Sequence, residues 1–386
     1  MLFALSCSFL FATPPAGIVI GWGFNGNGEA TGIPTSSPPF IFTHTNDMHM
    51  DGFNGFIEPS FTGSTGVVTI AGEPLTNAIA VAAGDCHGLA LRNDGTVVGW
   101  GLNNNGEATG VPSSGHASGQ VTIGGIVLSN VVAIAAGFHD SFALKKDGTV
   151  VRWGGVQVYP PNILHDGLSN ITAIAAGYTS GLGIQKDGRM LRLNGANWMP
   201  LPDACLNNIV AVAAGNDIDE ENLAIKKDGS VVYWHGAFGE KPVPYGLSNV
   251  VAVAAGVGNC LALKSDGTIV GWGKNRYGQV TGSASEKEPY TSSGLVTIKG
   301  TVLSNVVAIA AAGSYMYEIG YGMALKQNGT VVSWGNFSHN QVANVPDGLS
   351  NVVAIAAGGC GSSGNSGGFC LAINTNYPSL AHFQSH

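Results

Sequence analysis

Charge is scarce in this sequence. Only 10% of the 386 residues are Asp, Glu, Lys or Arg, against about a quarter in ordinary soluble domains. Sixteen cations within a net charge of −8 leave no basic stripe to neutralise phosphates, so nucleic acid is excluded as the expected partner. Long apolar runs are also lacking. Beyond the first 16 residues no segment approaches the roughly 20 needed to span a bilayer, and no membrane span is expected. Residues 1–16, MLFALSCSFLFATPPA, read as a secretory signal segment ended by prolines, although no Lys or Arg precedes the apolar run; an N-terminal strand is the alternative. Cysteine is sparse and never paired as Cys-x-x-Cys, which argues against zinc. Past the leader there are five, Cys86, Cys205, Cys260, Cys360 and Cys370. Cys360 and Cys370 bracket a Gly/Ser-rich loop and are the expected disulfide of a secreted chain.

What the sequence has in abundance is glycine, 58 residues, and short Val/Ile/Ala runs within a 45% apolar composition. Many short buried strands, rather than long helices, follow from that pattern. An Ala-Ala-Gly signature ends at Gly84, Gly137, Gly177, Gly215, Gly256, Gly313 and Gly358. Each copy follows a β-rich run such as NVVAIAAG and precedes an alternating one such as SFALKKDG. An Asp-Gly or Asn-Gly step then leads into a strand ending in Trp-Gly. Asp-Gly between alternating runs predicts a hairpin with a type I′ turn. Linkers of two kinds, VTI-x-G-x-x-L-(S/T)-N and a shorter proline-containing form, are expected to supply a further strand or extended piece, giving up to four strands per repeat. Four short strands recurring every 40–50 residues are the signature of propeller blades.

The seventh copy stops after its second strand, while GIVIGWG at residues 17–23 is a Trp-Gly strand with nothing before it. The two fragments complete one blade if the chain closes on itself, removing an exposed sheet edge. The expected fold is therefore all-β: a seven-bladed β-propeller over residues 17–376, closed by pairing of the N-terminal strand with the last blade, with a tail at 377–386.

Written out, NVVAIAAGxxxxLALKxDGTVVxWGxNxxGxxTG resembles the regulator of chromosome condensation repeat family of seven-bladed propellers. Trp22–Gly32, Trp100–Gly110 and Trp272–Gly282 carry the match most clearly. The chain is most similar to the short-repeat bacterial branch that includes a secreted, propeller-type β-lactamase inhibitory protein. The resemblance implies the fold; function does not follow from it, because such propellers host unrelated activities.

Strand direction sorts the loops. The Ala-Ala-Gly and Trp-Gly loops share one face, and the Asp-Gly turns occupy the other. Nine of the sixteen cations flank those turns, among them Lys145, Lys146, Lys226 and Lys227, so the first face is the acidic one. It gathers Asp85, His87, Phe138, His139, Asp140, Tyr178, Asp217, Asp219, Glu220, Tyr315, Tyr317 and Tyr321. Aromatics beside carboxylates on a rigid ring are the makings of a protein-recognition surface; the bland reading is that some fold back to cover blade ends.

Two motifs look chemical. Asp47–Glu58 fits a calcium loop with Asp47, Asp51 and Glu58 as ligands and His49 replacing an oxygen donor. Flanking prolines argue against the helices of an EF-hand, so rim decoration without metal is the leading reading and Ca²⁺ the alternative. Gly364–Gly368 satisfies Gly-x-Ser-x-Gly at Ser366, but a nucleophile elbow needs a following helix that this pattern lacks. The expectation is a monomeric, non-enzymatic protein-binding module, secreted or in the cell envelope and without a cofactor. The alternatives are an inhibitor of a secreted or periplasmic hydrolase and a carbohydrate-active or other propeller hydrolase.

Overall fold

The computed structural model describes residues 15–34, 64–155, 163–164, 170–178, 181–194, 197–200, 207–215, 221–235, 239–285, 290–314, 319–335, 344–360 and 367–376. Seven antiparallel sheets follow one another along the chain. Blade one consists of Ala78–Ala83, His87–Arg92, Val97–Leu102 and His116–Gln120, in that spatial order. Blades two to five repeat this order, starting at Val131, Ile171, Ile209 and Val250. Blade six has Val306–Ser314, Ile319–Lys326 and Val331–Gly335 as its described strands.

Blade seven is completed from the other end of the chain. Val352–Cys360 and Gly367–Asn374 are followed across the sheet by Ile18–Gly23 and Ser64–Val67. Ile18 pairs with Asn374, Trp22 with Cys370 and Gly23 with Phe369. The same segment reaches blade one, where Gly17 and Ala78 exchange backbone hydrogen bonds of 2.9 and 3.1 Å.

One local expectation is sharpened and one is corrected. The VTI linkers do not provide the outer strand. They fold into small separate hairpins, Thr69–Ile70 with Glu73–Pro74 for example, and in blades one, five and seven the fourth strand is the segment just before them. Nor are the Asp-Gly turns type I′. Gly95 N donates to Arg92 O at 3.0 Å and Arg92 N to Thr96 O at 2.9 Å. Gly95 alone has φ of +80°, and Asp94 is not in the left-handed region, which makes the hairpin a type I turn with a glycine bulge. Asp94 Oδ1 accepts from Thr96 N and Oγ1, at 2.9 and 2.7 Å.

The core lies between blades, not within them. Each main apolar cluster spans one blade boundary: Trp153 packs on Leu89 and Val121 at the one–two boundary, and Trp100 on Val19, Ala354 and Leu371 at the seven–one boundary. The first strands converge on the axis, where Val81, Ile134, Ile174 and the alanines beside them line a central cavity of about 130 Å³. Small side chains are required there because seven backbones meet.

At one mouth of this channel the glycines of Ala-Ala-Gly form a collar. At four blade junctions the peptide N–H after the glycine donates to the glycine carbonyl of the next blade: Asp85 to Gly137 at 3.1 Å, Phe138 to Gly177 at 3.2 Å, Tyr178 to Gly215 at 3.3 Å and Gly359 to Gly84 at 3.2 Å. A Cβ on Gly137 would collide with the Gly177 carbonyl oxygen. Gly137→Ala is therefore expected to cost about 2–3 kcal/mol through overpacking against backbone. Gly66→Ala, whose added methyl meets only a Thr31 methyl at 4.0 Å, should cost far less; urea unfolding of the two variants makes the comparison.

Candidate partner-binding face

The loops that follow Trp-Gly are built alike in three blades. Asn103 Oδ1 accepts from Ala108 N and Thr109 N, both at 3.0 Å, and its Nδ2 donates to Val111 O at 2.8 Å. Asn25 and Asn275 repeat this clip with Ala30/Ile33 and Val280/Ser283. In the same loops Glu29 Oε2 accepts from Asn27 N at 2.6 Å, Glu107 Oε2 from Asn105 N at 2.7 Å, and Gln279 Oε1 from Tyr277 N at 2.9 Å. Each loop is also fastened by the tryptophan of the following blade. Trp100 Nε1 donates to Glu29 O at 2.8 Å, Trp153 Nε1 to Glu107 O at 2.9 Å and Trp334 Nε1 to Gln279 O at 3.1 Å.

Glu29 and Glu107 are wholly buried, and sequence reading did not single them out. Their signal was a glutamate recurring between apolar and glycine positions in NGEATG and NNGEATG. Burial pushes the Glu29 carboxyl up to about 8, with the nearby Asp85 charge adding to it. Burial also raises Glu107, with Asp140 contributing.

Of the residues expected to form a contact surface, several lie beneath it. Asp85, His87, Asp140 and Tyr321 are buried, none more than 6% exposed. The Tyr321 hydroxyl bridges blades six and seven, 2.9 Å from Gly358 O and 2.6 Å from Phe369 O. Asp140 Oδ2 is held by Arg152 at 2.6 Å in an equally buried ion pair. Ser141 Oγ donates to Glu107 O at 2.7 Å, so His87 Nε2 donates to Ser141 Oγ at 2.9 Å. Burial and the neighbouring His139 hold the His87 imidazole neutral, with its pKa down near 3. This sealed Ser–His contact has the serine proton committed to a backbone carbonyl, and no nucleophile–base pair results.

Phe138, His139 and Tyr178 do reach the surface in part. Phe138 stacks at 4.2 Å edge-on to His139 and at 4.4 Å, tilted, to Tyr178. His139 Nδ1 stands 3.9 Å from Glu107 Oε1, with its side chain 24% exposed; burial lowers its pKa, against the opposing pull of Asp140. Asp217, Asp219, Glu220, Tyr315 and Tyr317 lie outside the described residues, as do Asp47, His49, Asp51, Glu58 and Ser366. Among the described residues no group of three or more His, Cys, Asp or Glu is placed to hold a metal ion, and no helix is long and apolar enough to cross a membrane.

The expected Cys360–Cys370 disulfide is not formed. Cys370 is a buried free thiol in the core between blades six and seven. Its Sγ lies 3.7 Å from the Tyr321 hydroxyl, and burial pushes its pKa up to about 12. Its position in the second strand of blade seven turns the side chain into the blade interface, away from the loop.

Comparison with known proteins agrees with this architecture. The regulator of chromosome condensation (RCC1) repeat model matches residues 78–107 and 250–279. Protein RCC1 of Candida albicans is 27% identical over 145 residues, 32% of this chain and 31% of that protein. Protein pim1 of Schizosaccharomyces pombe is 35% identical over 85 residues, 21% of this chain and 16% of that one. The matched stretches thus span a third or less of either relative. Among solved structures, Prp20p from Saccharomyces cerevisiae superposes with a TM-score of 0.60 at 17% identity, covering 95% of this chain and 93% of that one. Human WBSCR16 gives 0.59 at 14% identity, covering 93% and 99%. The chain is a seven-bladed β-propeller in which residues 78–107 and 250–279 match the regulator of chromosome condensation repeat.

Proposed function

We propose that this propeller is a non-enzymatic, monomeric protein-recognition module, secreted or in the cell envelope, that binds its partner through the Ala-Ala-Gly/Trp-Gly loop face. The observation that carries this reading is the partly exposed Phe138–His139–Tyr178 cluster seated on the glycine collar. Its backbone is fixed by hydrogen bonds to the neighbouring blades, so its presentation costs little ordering on binding. Aromatic side chains held this way are the usual anchors of protein interfaces. The paucity of cations argues against nucleic acid. A protein-binding role is also in keeping with the yeast propeller Prp20p, whose structures were described with its binding to Gsp1p and histones and in complex with Kap60.

The test is affinity capture from the native secreted and envelope proteome with the folded protein. Phe138→Ala/Tyr178→Ala is expected to lose the captured partner by tenfold or more, as truncated hot spots do. Lys145→Ala/Lys146→Ala, on the opposite face, should retain it. Equal capture by both variants would refute use of this face.

A further inference from the structure

Cys86 is disulfide-bonded, whereas Cys260 and Cys370 are buried free thiols. Of the six cysteines, Cys7, Cys205 and Cys360 are left as its possible partners. Two contacts bring the backbone of Cys360 to Cys86. Gly359 N donates to Gly84 O at 3.2 Å, so the residue before Cys360 touches the residue two before Cys86. On the other side, Cys360 faces Gly367 across the blade-seven hairpin. Gly367 abuts Phe24, Phe24 N donates to Gly368 O at 2.8 Å, and Phe24 packs directly with Cys86. Disulfides need Cα atoms within about 7 Å, and these contacts lie within two residues of the two cysteines.

Cys205 is excluded by chain connectivity alone. It precedes Asn208 by three residues, and Asn208 O accepts from Lys227 N at the Asp-Gly turn of blade four. Three residues reach about 10 Å, while the six-residue strands that separate the two faces are about 20 Å long. Cys7 belongs to the segment read as a secretory signal.

We propose that Cys86 is bonded to Cys360, a covalent staple between the first and last blades at the seam where the ring closes. Formation of the bond takes two protons and two electrons from the two thiols, and a disulfide oxidant accepts them by exchange, leaving as a dithiol. The staple stands on the candidate binding face but does not depend on a partner being bound there. It places the folded protein in an oxidising compartment, and a reductant releases the two loops from each other.

The decisive experiment is mass spectrometry of protein purified without reductant. Free thiols are alkylated, and the unreduced chain is cut with trypsin and chymotrypsin together, which separates Cys7 from Cys86 and Cys360 from Cys370. The expected result is a cross-linked peptide pair containing Cys86 and Cys360 that disappears with dithiothreitol, while Cys260 and Cys370 alkylate only after denaturation. Cys86→Ala, Cys360→Ala and the double variant should each lower the Tm by a similar amount, about 5 °C, the double no more than either single. Recovery of Cys86 linked to Cys7 or Cys205, or as an alkylated thiol, overturns the proposal. So does a Cys360→Ala variant that melts like the wild type when Cys86→Ala does not.

Discussion

Deletion of residues 17–23 is expected to unfold the whole ring and not just one blade. Ile18–Gly23 is paired on both sides, with Phe369–Asn374 and with Ser64–Val67. Its side chains also serve two different blade interfaces. Val19 is buried in the cluster shared with blade one, while Ile20 and Trp22 are buried in the cluster shared with blade six. Burying an aliphatic side chain contributes about 1.5–3 kcal/mol, and removing a core Trp costs about 3–5 kcal/mol. The sum is comparable to the 5–15 kcal/mol that holds a typical domain together. Because the blades share interfaces instead of owning cores, opening one joint exposes the flanks of three blades. Far-UV circular dichroism of the deleted chain should show no cooperative melt in the range of the full-length protein. An unchanged melting curve would mean that the ring does not depend on its N-terminal strand.

Glu29→Gln should stabilise the protein at alkaline pH and leave it nearly unchanged in acid. The Glu29 carboxyl is buried with its pKa raised from 4.5 to about 8, first by desolvation and then by the Asp85 charge. Its Oε1 has no partner among the described residues. A group held neutral in the fold but ionised in the unfolded chain favours folding fully below about pH 4.5. That contribution declines as pH rises and is lost above about pH 8. The interval corresponds to an effect on the order of 5 kcal/mol. Glutamine cannot ionise, and the protein already uses one at the equivalent place: Gln279 Oε1 accepts the Tyr277 amide as Glu29 Oε2 accepts that of Asn27. Urea midpoints at pH 4, 6 and 9 should diverge between wild type and variant as pH rises. Parallel curves would show that Glu29 does not titrate on unfolding.

The ring was legible in the sequence because its defining signals are backbone requirements repeated along the chain. Glycine is needed where collar carbonyls approach, as at Gly137, and at the bulge of each hairpin, as at Gly95. GIVIGWG could be assigned to the last blade because the seventh repeat lacked its third strand. Loop side chains were another matter. Asp85, His87 and Asp140 have the composition of a binding surface, yet they are buried, Asp85 beside Glu29 and Asp140 beside Glu107 in the loop of the preceding blade. That contact joins residues 34 to 71 positions apart, such as Ser141 with Glu107 and Trp100 with Glu29, so no local pattern announces it. Period-two alternation likewise says which residues alternate but not which segment pairs. The outer strand His116–Gln120 reads HASGQ, with little apolar character, because its exposed side needs none. Cys370 shows the same limit: proximity in sequence to Cys360 suggested a bond, while its position on an inward-facing strand decided otherwise.

The tryptophan clips work as a plug in one blade and a socket in the blade before it, as between blades one and seven, two and one, and six and five. A unit that keeps both halves fits any neighbour that keeps them too. Erosion, by contrast, shows next door. The loops that follow the third strands of blades three and four read GANW and GAFG, without the Asn-x-x-Gly-Glu clip. The indole nitrogens without a partner among the described residues are those of Trp234 and Trp272, one blade further on. In this ring a change in one repeat is written into the hydrogen bonding of the next.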